Sequence, residues 1–200
     1  MMNTQQKRSE ETRNRLLNAA EKCFAQDGYD AAGVAKICQY AGVSKGAFYH
    51  HFSSKQMIFM ALFKQWLEGV DLQLTHLRDN MEDIPEGLIS MAAVVQDVTR
   101  TAENQLPIYL EFLNRAARDP NVLQAMIEPF HRYHAFFVEM IEAGISQGTL
   151  RQIDPAVAAR VIISMAVGLL IQGLLDPAGS DWEWTTEESI KIILRGMVKR

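Results

Sequence analysis

Residues 41–52 read AGVSKGAFYHHF, and this stretch decides the fold. It has the form of the turn and second helix of a helix-turn-helix. Gly42 can take the left-handed backbone that a tight inter-helix turn needs. Ser44 can cap the following helix by accepting a backbone N–H. Phe48 and Phe52 stand four apart, so one face of that short helix is apolar. The other face carries Lys45, Gly46, Ala47, Tyr49 and His50. A cation, two small residues and two planar hydrogen-bonding rings suit close approach to phosphates and base edges. The stretch therefore points to double-stranded DNA as a partner.

Working outward, almost every segment has a helical period and no run alternates like a strand. Ser9 is placed to cap a first helix, with Glu10 and Glu11 in its first turn and Leu16, Leu17, Ala20 and Phe24 as its apolar stripe. Asp27-Gly28 ends it. A second helix is expected over 33–40, and the third over 44–51. Ser53 opens a long fourth helix, where Gln56 completes a capping-box pattern. Its apolar side runs through Ile58, Leu62, Trp66, Val70, Leu74 and Leu77. Pro85 starts a fifth helix reaching Ala102, and further helices are expected over 106–118, 120–147, 155–175 and 184–199. The prediction is an all-α chain of about nine helices. A three-helix DNA-binding domain over 1–53 precedes a helical ligand-binding and dimerisation domain over 54–200, with the fourth helix joining them.

Composition agrees. Of 200 residues, 48% are hydrophobic and 22% charged, which fits a packed core and not a disordered chain. The net charge of −4 is unevenly spread. Residues 1–55 hold eight Lys/Arg against five Asp/Glu, whereas 56–200 hold twelve against nineteen. A cationic end on an acidic protein fits a polyanion at that end only. The first residues are polar and lack an apolar signal core, so a cytoplasmic location is expected. Residues 156–175 have the apolarity of a membrane span, but Arg160, Ser164 and Gln172 interrupt them. A charge mid-span is costly in lipid, so a helix buried between subunits or in a bundle is expected, with no membrane partner. Cys23 and Cys38 sit at apolar-face positions, as buried thiols do, and their spacing makes no zinc site.

The layout resembles the TetR family of bacterial transcriptional regulators. The resemblance is carried by Thr12-Arg13, Leu16-Leu17, Ala19-Ala20, Phe24, Gly28-Tyr29, Val34, Ile37, Ala41-Gly42-Val43-Ser44, Gly46, Phe48-Tyr49, His51-Phe52 and Lys55. The stretches 110–120 (LEFLNRAARDP) and 142–151 (EAGISQGTLR) add looser matches. One departure is Ala31-Ala32-Gly33, where members often carry a Thr or Ser that caps the second helix and meets a phosphate. Gly33 and Val34 would instead offer bare backbone N–H groups there.

The resemblance implies a symmetric homodimer whose recognition helices enter successive major grooves of a near-palindromic operator, released by a small-molecule effector. Lys45, Tyr49 and His50 would read DNA, Gly46 and Ala47 would let the backbone approach, and Lys55 would take a phosphate. Phe48 and Phe52 would be scaffold. An apolar or aromatic effector would meet Trp66, Val70, Met91, Val95, Tyr109, Phe112, Leu113, Met126, Phe130, Tyr133, His134, Phe137 and Gln172 on helices four to eight and the following one. Dimerisation would use Val161, Met165, Gly168, Leu169 and Gln172, with Ile190, Ile193, Leu194 and Met197 on the final helix.

Two other classes compete. Glu128, His131 and His134 at spacings of three resemble half of a di-iron unit, but no second Glu-x-x-His faces them. No phosphate-cradling Gly loop or nucleophile elbow is present, so no enzyme, metal or cofactor is expected. The remaining alternative is a helical small-molecule-binding protein without DNA affinity.

Overall fold

The computed structural model describes the backbone of residues 4–79, 81, 83–101 and 106–199, and the side chains of these other than 4, 98–101, 106 and 107. The described residues form ten helices: α1 (Thr4–Ala31), α2 (Val34–Ala41), α3 (Lys45–His51), α4 (Lys55–Asp79), α5 (Ile84–Ser90), α6 (Ala92–Thr101), α7 (Leu106–Ala116), α8 (Pro120–Gln147), α9 (Pro155–Leu175) and α10 (Trp182–Arg195). The all-α expectation holds. Its details shift where local chemistry outweighs pattern.

α1 begins upstream of Ser9, and Gly28, with φ 75° and ψ 167°, breaks it where Asp27-Gly28 was expected to end it. The cap of α4 is Ser54, whose Oγ accepts from Met57 N at 3.2 Å. Gln56 does not turn back to that cap; it donates to Asp119 Oδ2 at 2.7 Å. The helix expected from Pro85 is divided at Met91 into α5 and α6, and its expected end at Ala102 lies outside the described residues. Asp83 caps α5 through Glu86 N, ahead of Pro85 in the first turn. Asp181 caps α10 earlier than expected, and the helix stops at Gly196, beyond which Val198 bridges to Leu150.

The chain divides into two compact units, 1–68 with 107–122 and 69–106 with 123–200. This cut differs from the expected 53/54 boundary, because the first half of α4 and most of α7 belong to the core of the N-terminal unit. Phe59 of α4 stacks on Phe112 of α7 at 4.0 Å and meets Phe24 and Tyr29 edge-on at 5.2 and 4.8 Å. Offset and edge-on pairs of this kind add to the burial of each ring. The second unit has its own core, in which Leu74, Leu88, Ile141, Leu150, Ala159, Ile162 and Leu194 are buried together.

Candidate nucleic-acid interface

The turn between α2 and α3 is held from three sides. Gly42 closes α2 at φ 61° and ψ 41°, the left-handed conformation that costs glycine least. Arg15 on α1 reaches over it and donates through Nη2 to the carbonyls of Ala41 and Gly42. A Cβ at position 42 would stand 2.9 Å from that nitrogen and would push the flexible guanidinium aside, so it is the left-handed backbone that demands glycine. Ser44 caps α3, its Oγ accepting from Ala47 N at 3.1 Å.

Phe48 is fully buried and Phe52 nearly so, their rings 6.0 Å apart. The Arg13 guanidinium sits 5.3 Å over Phe52. With its apolar side fixed in this way, α3 turns its other side outward. Lys45, Gly46, Tyr49 and His50 are exposed and Ala47 is half-buried. Tyr49 is 55% exposed, yet its ring edge rests on Phe48 at 5.3 Å, which limits the rotamers it samples. Gly33 precedes α2 in extended backbone with no side-chain cap, leaving an exposed N-terminus beside half-buried Val34. No Asp or Glu occurs between Ala31 and Leu67, a stretch that holds four lysines. The residues of α2, α3 and the start of α4 thus bring no carboxylate of their own, and Asp27 of α1 is paired with Lys36.

Lys55 makes contacts that its place in the sequence does not announce. Its Nζ donates to the carbonyls of Tyr29 at 2.7 Å and Asp30 at 3.2 Å and lies 4.4 Å from the centre of the Tyr29 ring. Carbonyls at a helix C-terminus attract a cation, so Lys55 caps the end of α1 with two of its three N–H donors. Arg115 of α7 packs on the same Tyr29 ring at 4.0 Å and pairs with Asp30 at 3.5 Å. Arg15 and Arg115 were not anticipated from the sequence. Each acts on a partner more than twenty residues away, which no local pattern reveals.

Burial foremost, then His50 and Arg13, hold the His51 imidazole below its usual 6.5. Protonation therefore favours the unfolded chain. This contribution to stability is present above pH 6.5 and is lost as pH falls through the folded-state value. Lowering the pH from about 7.5 to about 5.5 is expected to lower the thermal midpoint, and His51→Gln to flatten that dependence in circular-dichroism melts.

The expected effector-contacting residues are split between the units. Trp66, Tyr109, Phe112 and Leu113 belong to the first, where Trp66 lies 6.3 Å from Tyr109 and Phe112 is core. Burial raises the Tyr109 phenol. Val70, Met91, Val95, Met126, Phe130, Tyr133, His134, Phe137 and Gln172 belong to the second. Met91, Met126 and Phe137 are buried, and Phe130 is exposed. His134 Nε2 meets the carbonyl of Ala156 at 3.0 Å, and exposed Gln172 returns to Gly168 O at 3.2 Å. Among the described residues no group of three His, Cys, Asp or Glu is placed to hold a metal ion. Cys23 and Cys38 are buried, and desolvation pushes both thiols up.

The dimer residues also need correcting. Ile190, Leu194 and Met197 are buried in the second unit's own core, with Ile193 packed against it. The final-helix stripe therefore faces inward, because α10 packs on α5, α6 and α9 of the same chain. α9 differs. Only 22% of its most apolar window is buried, and it is, among the described residues, the one helix long and apolar enough to cross a membrane by length and composition. Val157, Val161 and Leu175 are exposed on it, and Met165, Gly168 and Leu169 are half-exposed.

A rigid helix-turn-helix with an acid-free reading face, followed by a separate helical unit, defines a DNA-binding transcriptional regulator. Residues 16–62 match the model of the tetR family of bacterial regulatory proteins, and residues 88–195 match that of the C-terminal region of BetI-type transcriptional repressors. The chain belongs to the TetR family. It is 26% identical over 171 residues, 85% of each chain, to the HTH-type transcriptional regulator UidR of Escherichia coli. Among solved structures, Salmonella enterica GusR superposes with a TM-score of 0.71 at 26% identity, over 92% of this chain and 95% of that one. A transcriptional regulator from Saccharomonospora viridis in complex with choline superposes with a TM-score of 0.81 at 19% identity, over 96% and 100%. The last likeness concerns the fold.

Proposed function

We propose that this regulator is a cytoplasmic homodimeric repressor that reads a near-palindromic operator and leaves it when a small effector with an apolar or aromatic body binds. The observation that carries the DNA-reading part is the outward face of α3. It pairs the exposed Lys45 cation and two exposed rings with a backbone kept accessible by Gly46, on a helix whose position Arg15 and Phe48 fix. Residues 1–53 do the reading, through Lys45, Tyr49 and His50 at bases and phosphates, Ala47 toward a thymine methyl, and the N-termini at Gly33-Val34 and Ser44 toward phosphates. Residues 54–200 sense and dimerise. α4 is one continuous helix whose first half belongs to the first unit and whose second half belongs to the other. It is the element through which an effector would change the separation of two recognition helices.

The test is a mobility-shift titration on the DNA upstream of the chain's own gene. Lys45→Ala is expected to weaken binding about tenfold and to reduce the salt slope by about one, as loss of a single phosphate or base-edge cation does. An unchanged affinity would remove α3 as the reading helix. A chain that binds effector but no DNA, at any salt, would return the alternative of a small-molecule-binding protein.

A further inference from the structure

Two helices, α4 and α8, begin in the first unit and continue into the second. Within the first unit their opening turns are joined. Asp119 precedes α8 and caps it, Oδ1 accepting from Asn121 N at 2.9 Å, with Pro120 at the first helical position. Its other oxygen, Oδ2, accepts from Gln56 Nε2 in the first turn of α4 at 2.7 Å. One carboxylate thus serves both helix starts. The Asn121 backbone N–H foremost, with Gln56 a lesser cause, holds the Asp119 carboxyl below its usual range. It is therefore ionised at neutral pH, and both bonds are charge-assisted.

The corner that carries Asp119 is itself tight. The N–H groups of Arg118 and Asp119 both return to Arg115 O at 2.9 Å. Arg115, at the other end of this corner, lies on the Tyr29 ring and pairs with Asp30 at the end of α1. Lys55, the residue before Gln56, meets the same ring and the carbonyls of Tyr29 and Asp30. Consecutive residues of α4 therefore hold the end of α1 with one side chain and the start of α8 with the other.

Only Ser53 and Ser54 separate this point from buried Phe52, which closes α3. Ser54 is already tied into α4 as its cap. So short a link passes a change in the direction of the first turn of α4 on to α3. We propose that Asp119 and Gln56 are positioning residues for operator reading: through their bond the α7–α8 corner fixes the direction in which α4 presents α3. The inference rests on the dimeric, DNA-reading part of the function above and deepens it. It gives an effector that alters the course of α8 a path to α3 that does not run along α4.

Mobility-shift titrations of the full chain test this on three duplexes: its operator, that operator with one base pair inserted at its centre, and a non-specific duplex of equal length. The insertion moves one half-site by about 3.4 Å along and about 34° around the duplex. The parent chain is expected to bind the lengthened site at least about tenfold more weakly than the operator. Gln56→Ala and Asp119→Ser (a serine hydroxyl still caps α8 but stops short of Gln56) are each expected to weaken operator binding about tenfold. Each should also narrow the ratio between operator and lengthened site to about threefold or less, because a reading helix not held in one direction tolerates spacing. The double variant should be no weaker than either single one, since both changes remove the same bond. Non-specific binding should stay within about twofold and thermal midpoints within about 4 °C, because the outward face of α3 is untouched. Unchanged operator affinity in either single variant, additive losses in the double, or a weakened chain that keeps the parent's ratio would each overturn the proposal and leave the DNA-reading function standing. A parent chain that does not prefer operator to the non-specific duplex would overturn that function, and this inference with it.

Discussion

Phe48→Ala is expected to destabilise the N-terminal unit by about 3–5 kcal/mol and to abolish operator binding with it, whereas Tyr49→Ala, one residue on, is expected to abolish binding while changing stability by less than about 0.5 kcal/mol. The contrast follows from which way each ring points. Phe48 has no exposed surface and contacts the Phe52 and Tyr49 rings. Its truncation removes apolar area and leaves a cavity that a seven-residue helix, clamped by the Ser44 cap and the Arg15-held turn, can close only partly. Tyr49 is more than half exposed, so its loss leaves no void. Urea denaturation and a mobility-shift assay on both variants give a two-by-two outcome. If Tyr49→Ala binds operator normally, the ring is surface decoration. If Phe48→Ala melts like the parent chain, α3 is not packed as described.

That pair also marks how much was legible in the sequence. The turn glycine, the Ser44 cap and the Phe48/Phe52 face are local chemistry, acting over four residues or fewer, and all three stand where the residues placed them. The contacts of Lys55 were missed for the opposite reason. Its side-chain partners are the carbonyls of Tyr29 and Asp30, 26 and 25 residues back, and only the folded path of α1 brings them together. Gln56 fails in the same way: a capping-box spacing is outweighed by a carboxylate 63 residues on. The inclusion of α7 in the first unit depends on the stack of Phe112 on Phe59, and a helical stripe does not say which neighbour it meets. The candidate effector residues show the same limit. Large apolar side chains at helical spacing mark a buried face. Only packing separates Met91 and Phe137, which are core, from Phe130, which is exposed.

The apolar stripes of α9 and α10 are indistinguishable by spacing, yet the fold uses them oppositely, and this gives the second large expectation. Val161→Asp is expected to shift the chain from dimer to monomer at micromolar concentration, weakening self-association by about two to four orders of magnitude. An unpaired charge held in a dry interface costs about 3–5 kcal/mol. Two-fold symmetry places the same charge in both copies, and aspartate is too short to reach water past its neighbours. Val161 is 46% exposed on an apolar helix whose own chain fully buries only a minority of its residues, and an apolar face left open in this way calls for a partner. In the proposed arrangement one dimer spans two half-sites, so operator affinity should fall by a further factor of about 10²–10⁴ through lost avidity while each α3 remains intact. Leu194→Ala is the control. Leu194 is 5% exposed in its own subunit's core, so its truncation should cost about 2–5 kcal/mol of unfolding free energy and leave the dimer in place. Sedimentation equilibrium and thermal melts on the two variants separate the roles. A Val161→Asp chain that remains dimeric would move the interface off α9, and the partly covered Gly168 and Leu169 would then belong to no interface at all.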